Sequence, residues 1–217
     1  MRLQPPKAII FDNDGTLVDS EVLSIRVLAE YLGELGWPIP VQTAVARYAG
    51  QDLHVCLAEA EAAIGRPLPP DAIDVFRSRQ IPILRRDLQP VPGADAMLSA
   101  VTIDKCVASN APQEKIRVCL DTTGLRRHFD EDRIFSAYDI ETWKPSPDLF
   151  LMAADRMKQH PRDCWVVEDS IFGIDASLAA GTQTIVYDPH AKFGGETRAV
   201  HRIEHLSQLT TLIADAA

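Results

Sequence analysis

The sequence predicts an α/β fold, an open parallel sheet with a helical domain inserted after its first strand. Three observations predict it. Short, near-continuous apolar runs recur along the chain, helix-period segments alternate with them from about Val91 onward, and residues 19–89 keep helical spacing with no strand-like run. With 217 residues the chain is long enough for one sizeable core and a smaller second unit. The expected division is a core of 1–18 with 90–217 and a cap of 19–89.

The strands come first. Ala8-Ile9-Ile10-Phe11, Cys164-Trp165-Val166-Val167 and Thr184-Ile185-Val186-Tyr187 are apolar on both pleat faces, and Cys106-Val107-Ala108 and Ile134-Phe135 are shorter examples. A strand buried on both sides reads this way in a parallel sheet. Between them, Pro112 opens a helix with Ile116, Cys119 and Leu120 on one face, closed by Gly124. Ser146-Pro147-Asp148 reads as an N-cap, a first-turn proline and a first-turn acid, followed by the stripe Phe150, Ala153 and Met157. Ile171, Ile174 and Leu178 mark a further helix ended by Gly181. In the insert, Ile25, Leu28, Leu32 and Leu35 run to Gly36, and Leu53, Leu57, Ala60 and Ile64 run to Gly65. Pro70 and Asp71 open a third segment, which Pro82 is expected to kink or end. The whole is a Rossmann-like open parallel sheet core with an inserted helical cap domain.

The composition, 46% hydrophobic and 24% charged, is that of an ordinary globular chain. A net charge of −9, from 22 basic and 31 acidic side chains, argues against nucleic acid or an anionic membrane as partner. It suits a site that holds a divalent cation. Cys56, Cys106, Cys119 and Cys164 form no C-x-x-C pair and sit in apolar runs, so they read as buried thiols in a reducing compartment. Met1 to Lys7 has no apolar signal-peptide segment, and no run approaches a membrane span. A cytoplasmic monomer or weak dimer is expected.

Four motifs carry chemistry. Asp12-Asn13-Asp14-Gly15-Thr16 follows the first apolar run, where strand ends of open sheets form active sites. Its two aspartates can face one site if the chain curls. Asp12 is then a competent nucleophile toward phosphorus, and Asp14 an acid for the leaving oxygen and a base for water. Such close carboxylates call for a bound Mg²⁺. The same Asp-Gly pair is also an ordinary turn signal. Ser109-Asn110 stands at another strand end, as a phosphate cradle or as an N-cap. Lys144 precedes a helix N-terminus, where a cation is out of place unless an anion is bound. Glu168-Asp169 ends a buried strand, with Asp169 a metal ligand or an N-cap and Glu168 a ligand or a brace.

All four fall at predicted strand ends, in order. On these residues the chain resembles the haloacid-dehalogenase-like hydrolase superfamily. Within it the likeness is to the capped phosphatase branch, and to its 6-phosphogluconate phosphatase-like and β-phosphoglucomutase-like groups. The segments Ser136–Ile140 and His205–Leu209 add to that likeness. The resemblance implies a Mg²⁺-dependent phosphatase acting on a small phosphorylated metabolite through an aspartyl-phosphate. Asp12, Asp14 and Lys144 would be catalytic. Ser109, Asn110, Lys144, Gly15 and Thr16 would hold phosphate, and Asp12, Asp14, Glu168 and Asp169 the metal. The second aspartate excludes the dehalogenase branch, and the absence of lysine from 19–89 argues against the phosphonatase branch.

Arg47, Gln51 and His54, around Gly50, are candidates for contacting the rest of the substrate. A phosphomutase is the alternative enzyme. A phospho-receiver domain is the non-enzymatic rival, but receivers carry the aspartate after the third strand and lack an insert. His201-Arg202-Ile203-Glu204-His205 fits a zinc-protease pattern and is read as surface or strand-loop, and Asp130-Glu131-Asp132 as a solvated turn.

Overall fold

The protein is described here by a computed structural model, which describes residues 3–49, 53–193 and 201–216. It divides into two compact units, Met1–Val18 with Pro90–Ala217, and Asp19–Gln89.

The first unit opens with β1 (Ala8–Phe11), buried along its whole length. Helices α1 (Glu21–Glu34), α2 (Val41–Tyr48), α3 (Leu53–Ile64) and α4 (Ala72–Asp87) make up the second unit. The chain then returns through α5 (Ala94–Ala100), β2 (Asp104–Ser109), α6 (Gln113–Thr123), β3 (Ile134–Ser136) and α7 (Asp148–Arg156). It continues through β4 (Cys164–Glu168), α8 (Ile171–Ala180), β5 (Gln183–Tyr187), β6 (His201–Ile203) and α9 (Gln208–Ala216). The strands form one sheet in the order β3-β2-β1-β4-β5-β6, and every pair is parallel. The chain order reverses beside β1, and ligands of open α/β sheets bind at such a switch point.

Register sets the site. Phe11 lies opposite Val107 on one side and Val167 on the other, so β1, β2 and β4 finish nearly level. One face of these strands, Ala8, Ile10, Cys106, Ala108, Cys164 and Val166, packs on Leu149, Phe150, Ala153 and Ala154 of α7 and Ala176 and Ala180 of α8. The alanines bring the helices close to the sheet. The helical unit has its own core, in which Ile25, Leu28 and Leu32 meet Cys56, Leu57, Ala60 and Phe76.

Several expectations are corrected. Of the two outcomes expected at Pro82, the helix does not end there: α4 runs on to Asp87, with Leu84 fully buried beyond the proline. The helix α7 begins at Asp148 with Pro147 as its cap, and Ser146 donates its hydroxyl to the Asp148 carboxylate (2.8 Å) instead of capping. On α8 the buried face is Gly173, Ile174, Ala176, Ser177 and Ala180, while Ile171 is 45% exposed. The His201–His205 pattern is strand and loop, as expected, beginning with the short edge strand β6. Within the Asp130–Asp132 run, Glu131 pairs with Arg117 and Arg126. All four cysteines are free and buried. Among the described residues, no helix is long and apolar enough to cross a membrane.

Candidate active site

Past Phe11 the chain curls back on itself. The Asn13 carbonyl accepts from the N–H groups of Leu17 and Val18, each at 3.0 Å, and the Gly15 N–H donates to Val18 O at 2.8 Å. Gly15 takes a left-handed φ of +89°, and a Cβ there would stand 2.2 Å from Asp169 Oδ2. Glycine is thus required twice, for the turn and for the approach of the Asp169 carboxylate. Thr16 donates its hydroxyl to Asp169 Oδ1 at 3.0 Å.

The centre is Lys144, whose side chain is 2% exposed. Its ammonium donates to Asp12 Oδ1 (2.5 Å), Glu168 Oε1 (2.8 Å) and Ala108 O (3.0 Å). All three of its hydrogens are therefore used. The ring of Phe150 lies beneath it, 4.8 Å from the centroid. The lysine backbone is clamped by Asn110, which accepts from Lys144 N at 2.9 Å and donates to Lys144 O at 3.4 Å. The other oxygen of Glu168 accepts from the Ser170 N–H (2.8 Å) and hydroxyl (2.9 Å). Ser170 is also the N-cap of α8, accepting from Gly173 N at 3.1 Å, so Asp169 is not the cap.

Asp14 faces a second lysine. Lys115, in the first turn of α6, lies 2.7 Å from Asp14 Oδ1, and the Ser109 hydroxyl lies 3.4 Å from Oδ2. Ser109 also accepts from Ala111 N at 3.0 Å, while the cap of α6 is Pro112.

Burial dominates the electrostatics. It drives the Asp12 carboxyl up to about 7 against the pull of Lys144, with Glu168 and Asp14 adding to the rise. Burial, then Glu168 and Asp12, push Asp169 well above the ordinary carboxylate range, opposed by Lys192 and by the Thr16 hydroxyl. For Lys144 burial works downward, but Asp12 and Glu168 outweigh it and hold the ammonium above its usual range. The same balance, with Asp14 as partner, raises Lys115.

These facts test the fit of a dication. The four expected ligands do not stand together as one cage, and no group of three metal-binding side chains does so among the described residues. Asp14 is turned to Lys115 and Glu168 to Lys144 and Ser170. Asp12, buried, and Asp169, half-buried, remain, both held above their ordinary range by their own surroundings. Mg²⁺ needs no full protein cage, because it is commonly held by one or two carboxylates, waters and substrate phosphate. The donor set fits it on those terms.

The structure brings Asp12, Asp14, Ser109, Asn110, Lys144, Glu168 and Asp169 to the strand ends. It gives Asn110's side chain to the Lys144 backbone, and Gly15 and Thr16 to Asp169. Lys115 was missed by sequence reasoning, although a cation in a helix first turn is the same signal that marked Lys144. In the insert, Arg47 is paired with Glu59 (2.9 Å), which also accepts from the Tyr48 hydroxyl, and His54 lies on the exposed side of α3. Gln51 and Gly50 lie outside the described residues.

The chain is similar to known proteins along nearly its whole length. Residues 6–181 match the family model of haloacid dehalogenase-like hydrolases. A 6-phosphogluconate phosphatase of Escherichia coli (strain K12) is 34% identical over 95% of this chain and 94% of its own length. A fructose-1-phosphate phosphatase of the same organism is 30% identical over 82% of this chain and 94% of its own. Among solved structures, a haloacid dehalogenase-like protein of Agrobacterium tumefaciens superposes with a TM-score of 0.82 at 32% identity, covering 97% of this chain and 98% of that one. A family hydrolase from Deinococcus radiodurans, with bound phosphate and sodium, gives 0.75 at 27% identity, covering 98% and 96%. With an aspartate pair, a hydroxyl, a lysine and an acid pair converging at the switch point of a parallel sheet, and relatives of this likeness along nearly its whole length, the chain belongs to the haloacid dehalogenase-like hydrolase family as a phosphoric monoester hydrolase.

Proposed function

We propose that the protein hydrolyses a small phosphorylated metabolite, a sugar phosphate or sugar-acid phosphate such as 6-phosphogluconate, through an aspartyl-phosphate on Asp12. One observation carries the reading: Asp12 is buried at the strand end with Lys144 on its Oδ1, and the curl after β1 sets Asp14 beside it. The E. coli relative named for 6-phosphogluconate supports the substrate class.

In the first step an Asp12 oxygen attacks phosphorus and the P–O bond to the alcohol breaks. Asp14, which enters this step protonated and leaves it as a carboxylate, gives its proton to the departing oxygen. Lys144 offsets charge on the phosphoryl oxygens, and the Ser109 hydroxyl donates to one of them. In the second step a water oxygen attacks the same phosphorus while Asp14 takes a proton from it. The acyl-phosphate bond breaks, Asp12 is regenerated and inorganic phosphate leaves. Lys115 fixes the direction of the Asp14 carboxylate for both transfers. Mg²⁺, held by Asp12 and Asp169, would neutralise phosphoryl charge when bound. Four buried free thiols support a cytoplasmic location.

The test is a phosphate-release screen over sugar phosphates, phosphoglycolate, nucleotides and 6-phosphogluconate, with and without Mg²⁺. Release from a sugar-acid or sugar phosphate is expected, and Asp12→Asn should abolish it. Wild-type turnover in that variant would sink the mechanism. Isomer formation from β-glucose 1-phosphate in place of phosphate release would assign the chain to mutases.

A further inference from the structure

Gly173 sits inside α8 with no positive φ to explain it. A glycine within a helix weakens it relative to alanine, so some other demand keeps it there. The demand is space. A Cβ at this position would fall 1.7 Å from Glu168 Oε1, 1.9 Å from Cδ and 2.5 Å from Oε2. The first turn of α8 is moulded around the Glu168 carboxylate. Ser170 completes the mould: it gives both its N–H and its hydroxyl to Oε2 and accepts from Gly173 N. The remaining oxygen, Oε1, accepts from the Lys144 ammonium at 2.8 Å.

We infer that Ser170 and Gly173 are positioning residues of the reaction. They set Glu168, and through it the ammonium of Lys144, without touching the substrate. The inference rests on the reaction proposed above, because turnover is its readout. With alanine at Gly173 the carboxylate must leave its seat, and Lys144 loses one of its two acidic partners. With the hydroxyl of Ser170 gone, Oε2 keeps only a backbone donor.

The experiment is a double-mutant cycle on purified full-length protein, read as phosphate release from the best monoester. Gly173→Ala is expected to lower kcat about 10- to 100-fold, as a misplaced catalytic group does, with KM changed far less. In a Glu168→Ala background there is no carboxylate to displace, so adding Gly173→Ala should change kcat less than about 2-fold, the scatter expected of independent sites. If Gly173 serves only helix packing, the same loss appears in both backgrounds, and the inference is overturned. Ser170→Gly gives a second, independent reading. Glycine caps a helix nearly as well as serine, so the melting temperature should fall only by the loss of the one hydroxyl bond to Glu168 while kcat falls roughly 10-fold, and Ser170→Thr should restore both. Unchanged kcat in Ser170→Gly overturns the inference even if Gly173→Ala does not fold. A wild-type protein that releases phosphate from no monoester would fail the proposed function itself, which is a different result from an additive cycle in an active enzyme.

Discussion

Lys144 in the core and Arg47 in the insert each meet carboxylates, under very different conditions. Lys144 holds Asp12 and Glu168 with 2% of its side chain exposed. Arg47 holds Glu59 with the two side chains 52% and 39% exposed, and Arg79 holds Glu34 in the same open manner while lying 4.7 Å over the Tyr31 ring. An exposed pair contributes at most about 1 kcal/mol and is weakened by salt. A buried one must recover a desolvation cost of several kcal/mol for each ion, and hydrophobic packing of equal volume is often the more stable choice. The insert therefore uses charge as surface trim, whereas the core retains an arrangement that stability alone would not select. Fold-level rules are broken in this way at functional sites.

The difference can be pressed in four ways. Lys144→Ala should have the largest effect, lowering kcat about 10³-fold and, by leaving two buried carboxylates unpaired, costing about 3–5 kcal/mol of stability. Steady-state kinetics and denaturant melts measure the two losses, and an active, stable variant would erase the contrast between the two regions.

The next effect concerns pH in metal-free protein. Asp12 has a folded pKa of about 7 against an ordinary 3.8, so between those values the folded state binds the extra proton. Its contribution is full below pH ~4 and is lost as pH rises through ~7. Thermal melts in chelator from pH 4.5 to 8 should show that decline, and a flat or rising profile would contradict it.

Lys115→Met should reduce kcat about 10- to 100-fold for an alkyl phosphate, within the range of general acid–base catalysis. An aryl phosphate with a good leaving group needs little protonation and should lose less. Equal losses on both would remove the link between Lys115 and Asp14.

Arg47→Ala should change least, with stability lower by under about 1 kcal/mol. A large rise in KM from this substitution would instead make Arg47 a substrate contact.

The sequence displayed much of this, and its omissions have physical causes. The strands β1, β4 and β5 were legible because burial on both faces leaves an unbroken apolar run. The strand β6, with only His201, Arg202 and Ile203 at a sheet edge, carries no such pattern. The four motifs were legible because each places a chemically loaded side chain directly after an apolar run. What each residue touches was not. That Asn110 binds the Lys144 backbone, or that Asp14 turns to Lys115, depends on pairs 34 and 101 residues apart (144 − 110 and 115 − 14). Gly173 did leave a trace, as a lone glycine inside a helical pattern, which commonly has a packing or functional reason.

The seam of the insert has a consequence of its own. Val18 forms an antiparallel bridge with Pro90, and Asp19 N donates to Gln89 O at 3.0 Å, so 71 residues (89 − 19 + 1) leave and rejoin the core at one hydrogen-bonded doorway. Doubling a flexible loop between fixed ends costs only about 0.6 kcal/mol. The sheet is thus nearly indifferent to how much chain passes through the doorway. The length of chain between residues 18 and 90 is therefore only a weak constraint on closing this seam.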